Sequence, residues 1–251
     1  MIQSPALQVV DLCKNFGALR VTQEVSFHLP VGHRRALIGP NGAGKTSLIH
    51  QITGVLRPSS GTVSLEGTNI VRHSIQQRVR QGLVRTFQIN SLFPDLTVID
   101  NVRLAALAAR GLHRSFGLTV DHRSLIAVEI ERLLSTLGLV ELGTVKVSHL
   151  AYGKRRLVEI ALALALKPKV LLLDEPAAGL SRQEISVLVR VLRALPKHIA
   201  VLIVEHDMEL VFEYAESISV LVQGRLLRTG TVDEVRSDRE VRDVYLGRRH
   251  V

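Results

Sequence analysis

The residues best suited to chemistry lie between positions 39 and 46, where glycines precede a lysine and a threonine at fixed spacing. In order they are Gly39, Pro40, Asn41, Gly42, Ala43, Gly44, Lys45 and Thr46, with Ser47 following. They match the pattern G-x-x-x-x-G-K-[ST] in full. Glycines let successive N–H groups face one point, and the N-terminus of a following helix adds positive charge there. The segment predicts a phosphate site, with Lys45 on the β- and γ-phosphates and the Thr46 hydroxyl on Mg²⁺.

Two adjacent carboxylates form a second candidate centre far downstream. Asp174 and Glu175 follow the apolar run Val170–Leu173. In ATPases with such a phosphate loop, an aspartate at a strand end holds Mg²⁺ and a following glutamate takes a proton from the attacking water. Alone, the pattern fits a solvated acidic turn equally well. Together with the loop at 39–46, it predicts that Asp174 binds metal and Glu175 acts as general base.

The segments that must position these residues alternate between strands and helices. Short apolar or alternating runs predict strands at Ala36–Ile38, Thr62–Leu65, Val170–Leu173 and Ala200–Val204. Helical spacing and breaker residues predict helices at Thr46–Thr53, Leu125–Leu137 and near Gln183–Leu195. The two ends of the chain therefore predict one α/β sheet, interrupted by a helical insertion at about 87 to 154.

Length and composition favour one elaborated domain that does not enter the membrane. The chain has 251 residues, of which 46% are hydrophobic, and this suffices for one substantial core. Its single cysteine, Cys13, excludes an internal disulfide, and residues 1–10 lack the features of a secretory signal, so we expect a reducing cytosol. The longest apolar run, Ile160–Leu166, is far shorter than the roughly 20 residues that span a bilayer.

The net charge of +9 is compatible with anionic partners such as a nucleotide, a nucleic acid or acidic lipid headgroups. Aromatic residues make up only 4% of the chain. Surfaces that bind single-stranded nucleic acid interleave aromatic with basic residues, so this composition argues against one. The simplest interpretation is a solvated basic surface, and we expect no nucleic-acid partner.

With these motifs in place, the chain resembles the ATPases of ABC transporters over essentially its whole length. The family's motifs stand in order at Phe16, 39–46, Gln88, Leu150–Lys154, Asp174-Glu175, Ala178–Ser181 and His206. Taken singly, Phe16, Gln88 and His206 fit ordinary structural residues. The resemblance implies that Phe16 stacks on adenine, that Gln88 contacts Mg²⁺ and the attacking water, and that His206 contacts the γ-phosphate.

The resemblance also identifies a signature segment that meets the γ-phosphate held by a partner subunit, and the chain departs from the family there. In Ala151-Tyr152-Gly153-Lys154, alanine replaces the family's serine, tyrosine a glycine and lysine a glutamine. A lost hydrogen bond to a charged group costs about 1.5–3 kcal/mol, so the opposing ATP site is expected to weaken unless Lys154 or backbone N–H groups substitute. The dimer-contact loop also has Ser181 where the family often has aspartate.

For the fold, the resemblance implies an α/β architecture. A P-loop NTPase (RecA-like) core with an antiparallel β subdomain is expected at 1–86 and 155–251, with an inserted α-helical subdomain at 87–154. The implied partners are a second ABC ATPase subunit, identical or paralogous, two transmembrane permease subunits and, indirectly, a solute-binding protein, at the cytoplasmic face of the membrane. A permease helix is expected to dock against Ile89–Val102, whereas an ordinary surface loop would tuck Phe93 and Leu96 inward.

Five short sequences narrow the resemblance to the ATPases of branched-chain amino-acid importers, a group that includes relatives for urea, amides and aromatic acids. They are Arg-Thr-Phe-Gln at 85–88, Leu-Ala-Tyr-Gly at 150–153, Asp-Glu-Pro-Ala-Ala-Gly-Leu at 174–180, Glu-His-Asp-Met at 205–208 and Tyr-Leu-Gly at 245–247. An ABC exporter ATPase for lipid or lipopolysaccharide would share nearly every catalytic residue and stays open as an alternative. A soluble ABC protein that acts on DNA or ribosomes is a less favoured alternative, because such proteins usually have a long coiled-coil insertion or a second ATPase cassette and this sequence shows neither. Assignment as a metabolic P-loop kinase would explain Lys45 and Asp174, but it would not explain the signature segment or His206.

Overall fold

The structure is a computed structural model that describes residues 4–86, 92–111 and 120–246, with the side chains of 120–123 and 245–246 excluded. Its strands are β1 (Leu7–Phe16), β2 (Leu19–Leu29), β3 (Arg34–Ile38), β4 (Ser60–Leu65), β5 (Thr68–Asn69), β6 (Leu83–Arg85), β7 (Val170–Asp174), β8 (Ala200–Val204), β9 (Ser217–Val222) and β10 (Arg225–Thr231). Its helices are α1 (Lys45–Thr53), α2 (Ile75–Arg80), α3 (Val98–Ala109), α4 (Val120–Thr136), α5 (Tyr152–Ala165), α6 (Arg182–Arg193), α7 (Met208–Tyr214), α8 (Val232–Ser237) and α9 (Arg239–Leu246). Gln88 lies outside the described residues.

Two sheets organise the described part of the chain. The larger sheet has the strand order β10-β9-β3-β8-β7-β6, and all its neighbours are parallel except β9 and β10. The smaller sheet is antiparallel, with the order β2-β1-β4-β5. The expected fold class is confirmed. Because β3, β8, β7 and β6 run parallel, the segments that follow them meet at one edge of the sheet.

Strand β7 shows why the larger sheet is buried on both faces. Its side chains alternate, so that Leu171 and Leu173 pack with the helices of the insertion, whereas Leu172 packs in a second cluster with β1, β4 and α1. All three leucines are at most 1% exposed. This explains the continuous apolar runs that the sequence shows at β7 and β8, which are typical of parallel strands covered on both sides.

The insertion between β6 and β7 contains α3, α4 and α5. Thr97 caps α3, its hydroxyl accepting a hydrogen bond from the Asp100 N–H at 3.1 Å. Helix α5 runs unbroken from Tyr152 to Ala165, across the boundary expected at 154, so the division into subdomains stays a prediction. Within the described ranges, no helix is both long enough and apolar enough to cross a membrane.

The predicted helix near Gln183–Leu195 is α6, but it ends at Arg193, two residues earlier than expected. Ala194 is its C-cap, and Pro196 follows shortly after. A residue that precedes proline is disfavoured in the helical region, so the helix stops before Leu195. Leu195 is 5% exposed. Its apolar character therefore reflects burial in the core, and helical periodicity alone could not distinguish this from a last helical turn.

Candidate functional site

The loop at 39–46 is pressed so closely against its surroundings that two of its positions require glycine. A Cβ on Gly39 would lie 2.2 Å from the Leu221 carbonyl oxygen in β9, and one on Gly44 would lie 2.7 Å from the Val21 carbonyl oxygen in β2. Gly44 has a φ of 99°, and α1 begins at the next residue. The N-terminus of α1 therefore adjoins the loop, which is the arrangement that phosphate groups bind.

Lys45 lies at the opening of this loop. Its Nζ donates hydrogen bonds to the carbonyl oxygens of Gly39, at 2.7 Å, and Pro40, at 3.1 Å. Burial lowers the pKa of Lys45, and the charges of Glu175 and Asp174 act in the opposite direction. The register of the sheet accounts for this proximity, because Leu37, two residues before the loop, and Asp174 both pair with Val204 of β8. Thr46 is exposed and Ser47 half-buried in the first turn of α1.

Asp174 and Glu175 differ sharply in environment although they are adjacent. The Asp174 side chain is 13% exposed, and its Oδ2 accepts a hydrogen bond from Arg85 Nη2 at 2.5 Å. The Glu175 side chain is 48% exposed, and its backbone has a φ of 46°. A non-glycine residue in the left-handed region is strained, and such strain is concentrated at functional sites. The strained backbone therefore marks Glu175 as a functional candidate.

His206 follows β8, the strand between β3 and β7. Its Nδ1 lies 4.0 Å from Glu175 Oε1 and 3.7 Å from Glu205 Oε2, and its side chain is 64% exposed. The structure thus brings His206 and Glu175 together. Because the ends of β3, β8 and β7 lie side by side, the segments that carry Lys45, His206, Asp174 and Glu175 meet at one edge of the sheet.

Phe16 lies near the tip of the hairpin formed by β1 and β2. Its ring is 52% exposed, and Lys14 Nζ lies 4.9 Å from the ring centroid. The same hairpin contributes the Val21 carbonyl oxygen that lies against Gly44. The hairpin that carries this exposed aromatic ring therefore also packs against the phosphate loop.

The signature segment, residues 151–154, is the N-terminus of α5. Ala151 is the N-cap residue and makes no side-chain capping bond. Tyr152 Oη donates a hydrogen bond to the Ala178 carbonyl oxygen at 3.1 Å, and Gly153 packs against Glu184 of α6. Lys154 is half-buried. In the chain itself, the segment contacts the loop 178–181 and α6.

Two charged residues at this edge were not predicted from the sequence as site residues. Arg85 ends β6 and donates to Asp174. Glu205 is fully buried and accepts hydrogen bonds from the backbone N–H groups of Ala177 at 2.7 Å, His206 at 2.8 Å and Asp207 at 3.1 Å. Both follow apolar residues at a strand end, and a charge in that position needs a partner. Glu205 connects the His206 turn to the segment after Glu175.

Replacing Glu205 with glutamine should destabilise the protein. The amide has the same size, but its NH₂ group cannot accept, so a buried backbone N–H loses its partner at a cost of about 1–3 kcal/mol. Urea unfolding followed by circular dichroism measures the change. The matched control is Glu131→Gln, at an exposed position in α4, for which we expect a change within about 0.5 kcal/mol. Equal stabilities of the two variants would contradict this role for Glu205.

The described residues fit a magnesium ion that is held partly by substrate. Among them, no group of three or more His, Cys, Asp or Glu side chains could hold a metal by itself. Mg²⁺ is typically bound by one or two protein oxygens together with substrate phosphates and water. The Asp174 carboxylate and the Thr46 hydroxyl are such oxygens. Arg85 engages Asp174 at Oδ2, so Oδ1 is the oxygen available to a metal.

Two family models match the chain. One is described as ABC transporter and matches residues 22–178. The other is described as branched-chain amino acid ATP-binding cassette transporter and matches residues 229–251. The first covers the phosphate loop, the signature segment and both carboxylates, and the second covers the C-terminal end of the chain.

Relatives and solved structures match at nearly full length. The chain is 37% identical to the high-affinity branched-chain amino acid transport ATP-binding protein LivG of Salmonella typhimurium, over 98% of this chain and 99% of the relative. It is 34% identical to the corresponding protein BraF of Pseudomonas aeruginosa, over 97% and 98%. The structure of the ADP conformation of MJ1267, an ATP-binding cassette of an ABC transporter, superposes with a TM-score of 0.83 at 28% identity, covering 98% of this chain and 100% of that chain.

Proposed function

The chain belongs to the ABC transporter family of ATP-binding proteins, and from that membership we propose that it is the ATPase subunit of an importer for branched-chain amino acids or related small polar solutes. ATP hydrolysis coupled to transport is the activity of the family. The names of the relatives favour the amino-acid group over the lipid-exporter alternative. The observation that carries the proposal is the meeting of the phosphate loop, two carboxylates and His206 at one sheet edge.

Each residue at this edge is proposed to have one role. The backbone N–H groups of residues 39–46 and the side chains of Lys45 and Ser47 bind the phosphates, and Phe16 stacks on adenine. Thr46 and Asp174 hold Mg²⁺, together with Gln88, which lies outside the described residues. When bound, the metal neutralises charge on the phosphates. Catalysis here needs mainly positioning and charge neutralisation, so no covalent intermediate on the enzyme is required.

Glu175 is the proposed general base and His206 the proposed contact to the γ-phosphate. The 4.0 Å between His206 Nδ1 and Glu175 Oε1 leaves the glutamate without a short direct partner in the histidine, so its carboxylate is free to accept a proton from water. Lys45 exchanges its bonds to Gly39 and Pro40 for bonds to phosphate when ATP binds. The catalytic set is therefore Lys45, Gln88, Glu175 and His206.

We place the ATP between two subunits stacked head to tail. The N-terminus of α5 then faces the γ-phosphate held by the partner, because that helix end carries partial positive charge and the N-cap residue Ala151 has no side chain that could cap it. Ala151, Tyr152, Gly153 and Lys154 form this surface. ATP becomes part of the interface, and hydrolysis with product release lets the subunits separate.

The membrane partners are proposed to be two permease subunits at the cytoplasmic face, with a solute-binding protein acting through them. Their docking surface would be the segment 89–102, of which residues 92–102 are described. The expectation of an ordinary loop with Phe93 tucked inward does not fit the structure, since Phe93 is 54% exposed. Its backbone is fixed by Asn101, which accepts from the Phe93 N–H at 2.9 Å and donates to its carbonyl oxygen at 3.0 Å. The segment thus presents an apolar side chain on a fixed backbone.

Substituting Phe93 with aspartate should abolish assembly with the permease subunits while leaving nucleotide binding intact. A carboxylate buried without a partner at an interface is costly. Because the Phe93 ring is exposed, the substitution should leave the fold intact, and thermal unfolding checks this. The control is Val55→Asp, which introduces the same charge at a residue that is 52% exposed. Pull-down with the permeases and ATP-analogue titration are measured on one preparation. If the Phe93 variant assembles normally, the docking surface does not include Phe93 and must lie elsewhere on the subunit.

The transported solute is tested by reconstitution in vesicles with permease subunits and a solute-binding protein that assemble with this chain. We expect leucine, isoleucine or valine to stimulate ATP hydrolysis and to accumulate on the side where ATP is supplied. Stimulation by urea, amides or aromatic acids would instead show that the transporter carries one of the other solutes of this group. Movement of lipid, with no response to any of these solutes, would support the exporter alternative.

A further inference from the structure

Tyr152 joins two segments of the chain that are 26 residues apart in sequence. Its hydroxyl donates to the Ala178 carbonyl oxygen at 3.1 Å and accepts from Arg156 Nη2 at 3.2 Å. Its ring lies against the next turn, because a Cβ on Gly179 would be only 3.2 Å from Tyr152 Cε1. Gly179 has a φ of 77°, so the turn has the left-handed backbone that favours glycine. The phenol therefore bridges the signature segment and the loop 178–181.

A buried ion pair further along α5, between Arg156 and Glu159, fixes the position of this phenol. Arg156 Nη1 donates to Glu159 Oε2 at 2.9 Å, and the two side chains are 10% and 2% exposed. The Arg156 guanidinium also lies over the Tyr152 ring, 5.5 Å from its centroid. Burial raises the pKa of Glu159, and the bond from Arg156 opposes this shift. Since removing water from both charges is costly, the pair is held in one geometry, and the guanidinium has little freedom to release Tyr152.

Glu184 provides a second connection between the same segments. Its Oε2 accepts from the N–H and the hydroxyl of Ser181, both at 2.8 Å, and this closes a capping box at the start of α6. A Cβ on Gly153 would lie 2.2 Å from Glu184 Oε1. Hydrogen bonds from Ser181 and from the Gly153 N–H lower the pKa of Glu184. Gly153 is thus held against the helix that follows the loop 178–181.

We infer that Tyr152 is a positioning residue that makes the signature segment and the loop 178–181 one rigid unit, so that binding a partner's γ-phosphate and contacting that partner become a single event. The inference rests on the proposed head-to-tail arrangement. A glycine at position 152 could make none of these contacts. The missing serine hydroxyl at Ala151 predicted a weakened ATP site. The Tyr152 phenol offsets this loss, because a surface that is already ordered binds its partner without a further entropic cost.

The first test is hydrogen exchange on the monomer without nucleotide. The Ala178 N–H bonds to the Glu175 carbonyl oxygen and the Leu180 N–H to that of Ala177. In Tyr152→Phe only one hydroxyl is lost, and we expect these amides to exchange about fivefold faster, the effect of one hydrogen bond. The matched control is Tyr214→Phe, whose buried hydroxyl has no hydrogen-bond partner within the described residues. Unchanged exchange at 178–180 in Tyr152→Phe would overturn the inference.

The second test is dimer formation with ATP and Mg²⁺ in a Glu175→Gln background, measured by light scattering. We expect Tyr152→Phe to weaken dimerisation by roughly 5- to 25-fold, since a symmetric dimer contains the bond twice. ATP affinity of the monomer should stay unchanged, and thermal unfolding should remain a single cooperative transition that is lowered only by the loss of the hydroxyl's hydrogen bonds, which a general loss of structure would not allow. If Tyr152→Phe dimerises as strongly as its parent, the inference about Tyr152 is wrong, but the proposed head-to-tail dimer is unaffected. No dimerisation of the parent would overturn the head-to-tail arrangement, while the exchange experiment still decides whether the bond couples the two segments.

Discussion

Glu175→Gln is expected to bind ATP normally and to hydrolyse it about 10²- to 10⁴-fold more slowly, the range for losing a general base. The amide keeps the size of the side chain but cannot take a proton from water. The Glu175 side chain is half exposed, and its strained backbone conformation costs a glutamine as much as a glutamate. The substitution should therefore leave the fold unchanged. Single-turnover hydrolysis and ATP-analogue titration on the same sample separate chemistry from binding.

The result should be specific to this glutamate. Glu131→Gln carries the same chemical change at an exposed position of α4 and should hydrolyse ATP at the parent's rate. The Glu175 variant should also retain uncleaved ATP and stay dimeric in its presence. Undiminished turnover would show that another group activates the water, and His206, 4.0 Å away, would be the next residue to test.

Lys45→Ala is expected to lose ATP binding at concentrations that saturate the parent. The lysine is the side-chain cation placed by the loop, and bonds between charged groups are worth about 1.5–3 kcal/mol each. Two such bonds, to the β- and γ-phosphates, correspond to a loss of roughly 10²- to 10⁴-fold in affinity. Lys45→Met, which keeps most of the apolar stem, should behave in the same way.

Fluorescent ATP-analogue titration measures this loss, and Lys197→Ala is its control. Lys197 is exposed and lies near Gly32, which precedes β3, so it is at the opposite edge of the larger sheet from the phosphate loop. Removing it changes the net charge equally without touching the site. An affinity of the Lys45 variants within a few-fold of the parent would refute the assignment of the phosphate loop.

The parts of the site that could be predicted from the sequence are those with a local signal. Lys45 and Thr46 follow a fixed pattern, and Asp174 follows an apolar strand, so their environment is encoded within a few residues. The strand Ala200–Val204 was predicted with the bounds that the structure gives to β8. Family order predicted Phe16 and His206, which have no local signal of their own.

The remaining features depend on contacts between distant residues. Arg85 and Asp174 are 89 positions apart and meet because β6 and β7 are neighbours in the sheet. Glu205 and Ala177 are 28 positions apart. Nothing in the sequence of either segment specifies these partners, since the pairing is decided by strand order. The sequence likewise indicated that Tyr152 replaces a glycine, but the bond to Ala178 arises from the packing of α5 against the following loop.

The position of β3 in the larger sheet has a consequence for biosynthesis. This strand leads into the phosphate loop, yet both its neighbours, β8 and β9, come from residues 200–222, and the Gly224 N–H bonds to the Ala43 carbonyl oxygen. A ribosome that has completed the loop must add more than 150 further residues before these supports exist, roughly 10–35 s at typical elongation rates. The nascent loop therefore leaves the ribosome without its flanking strands. We expect nascent chains to acquire nucleotide affinity only after residues 200–224 have been synthesised.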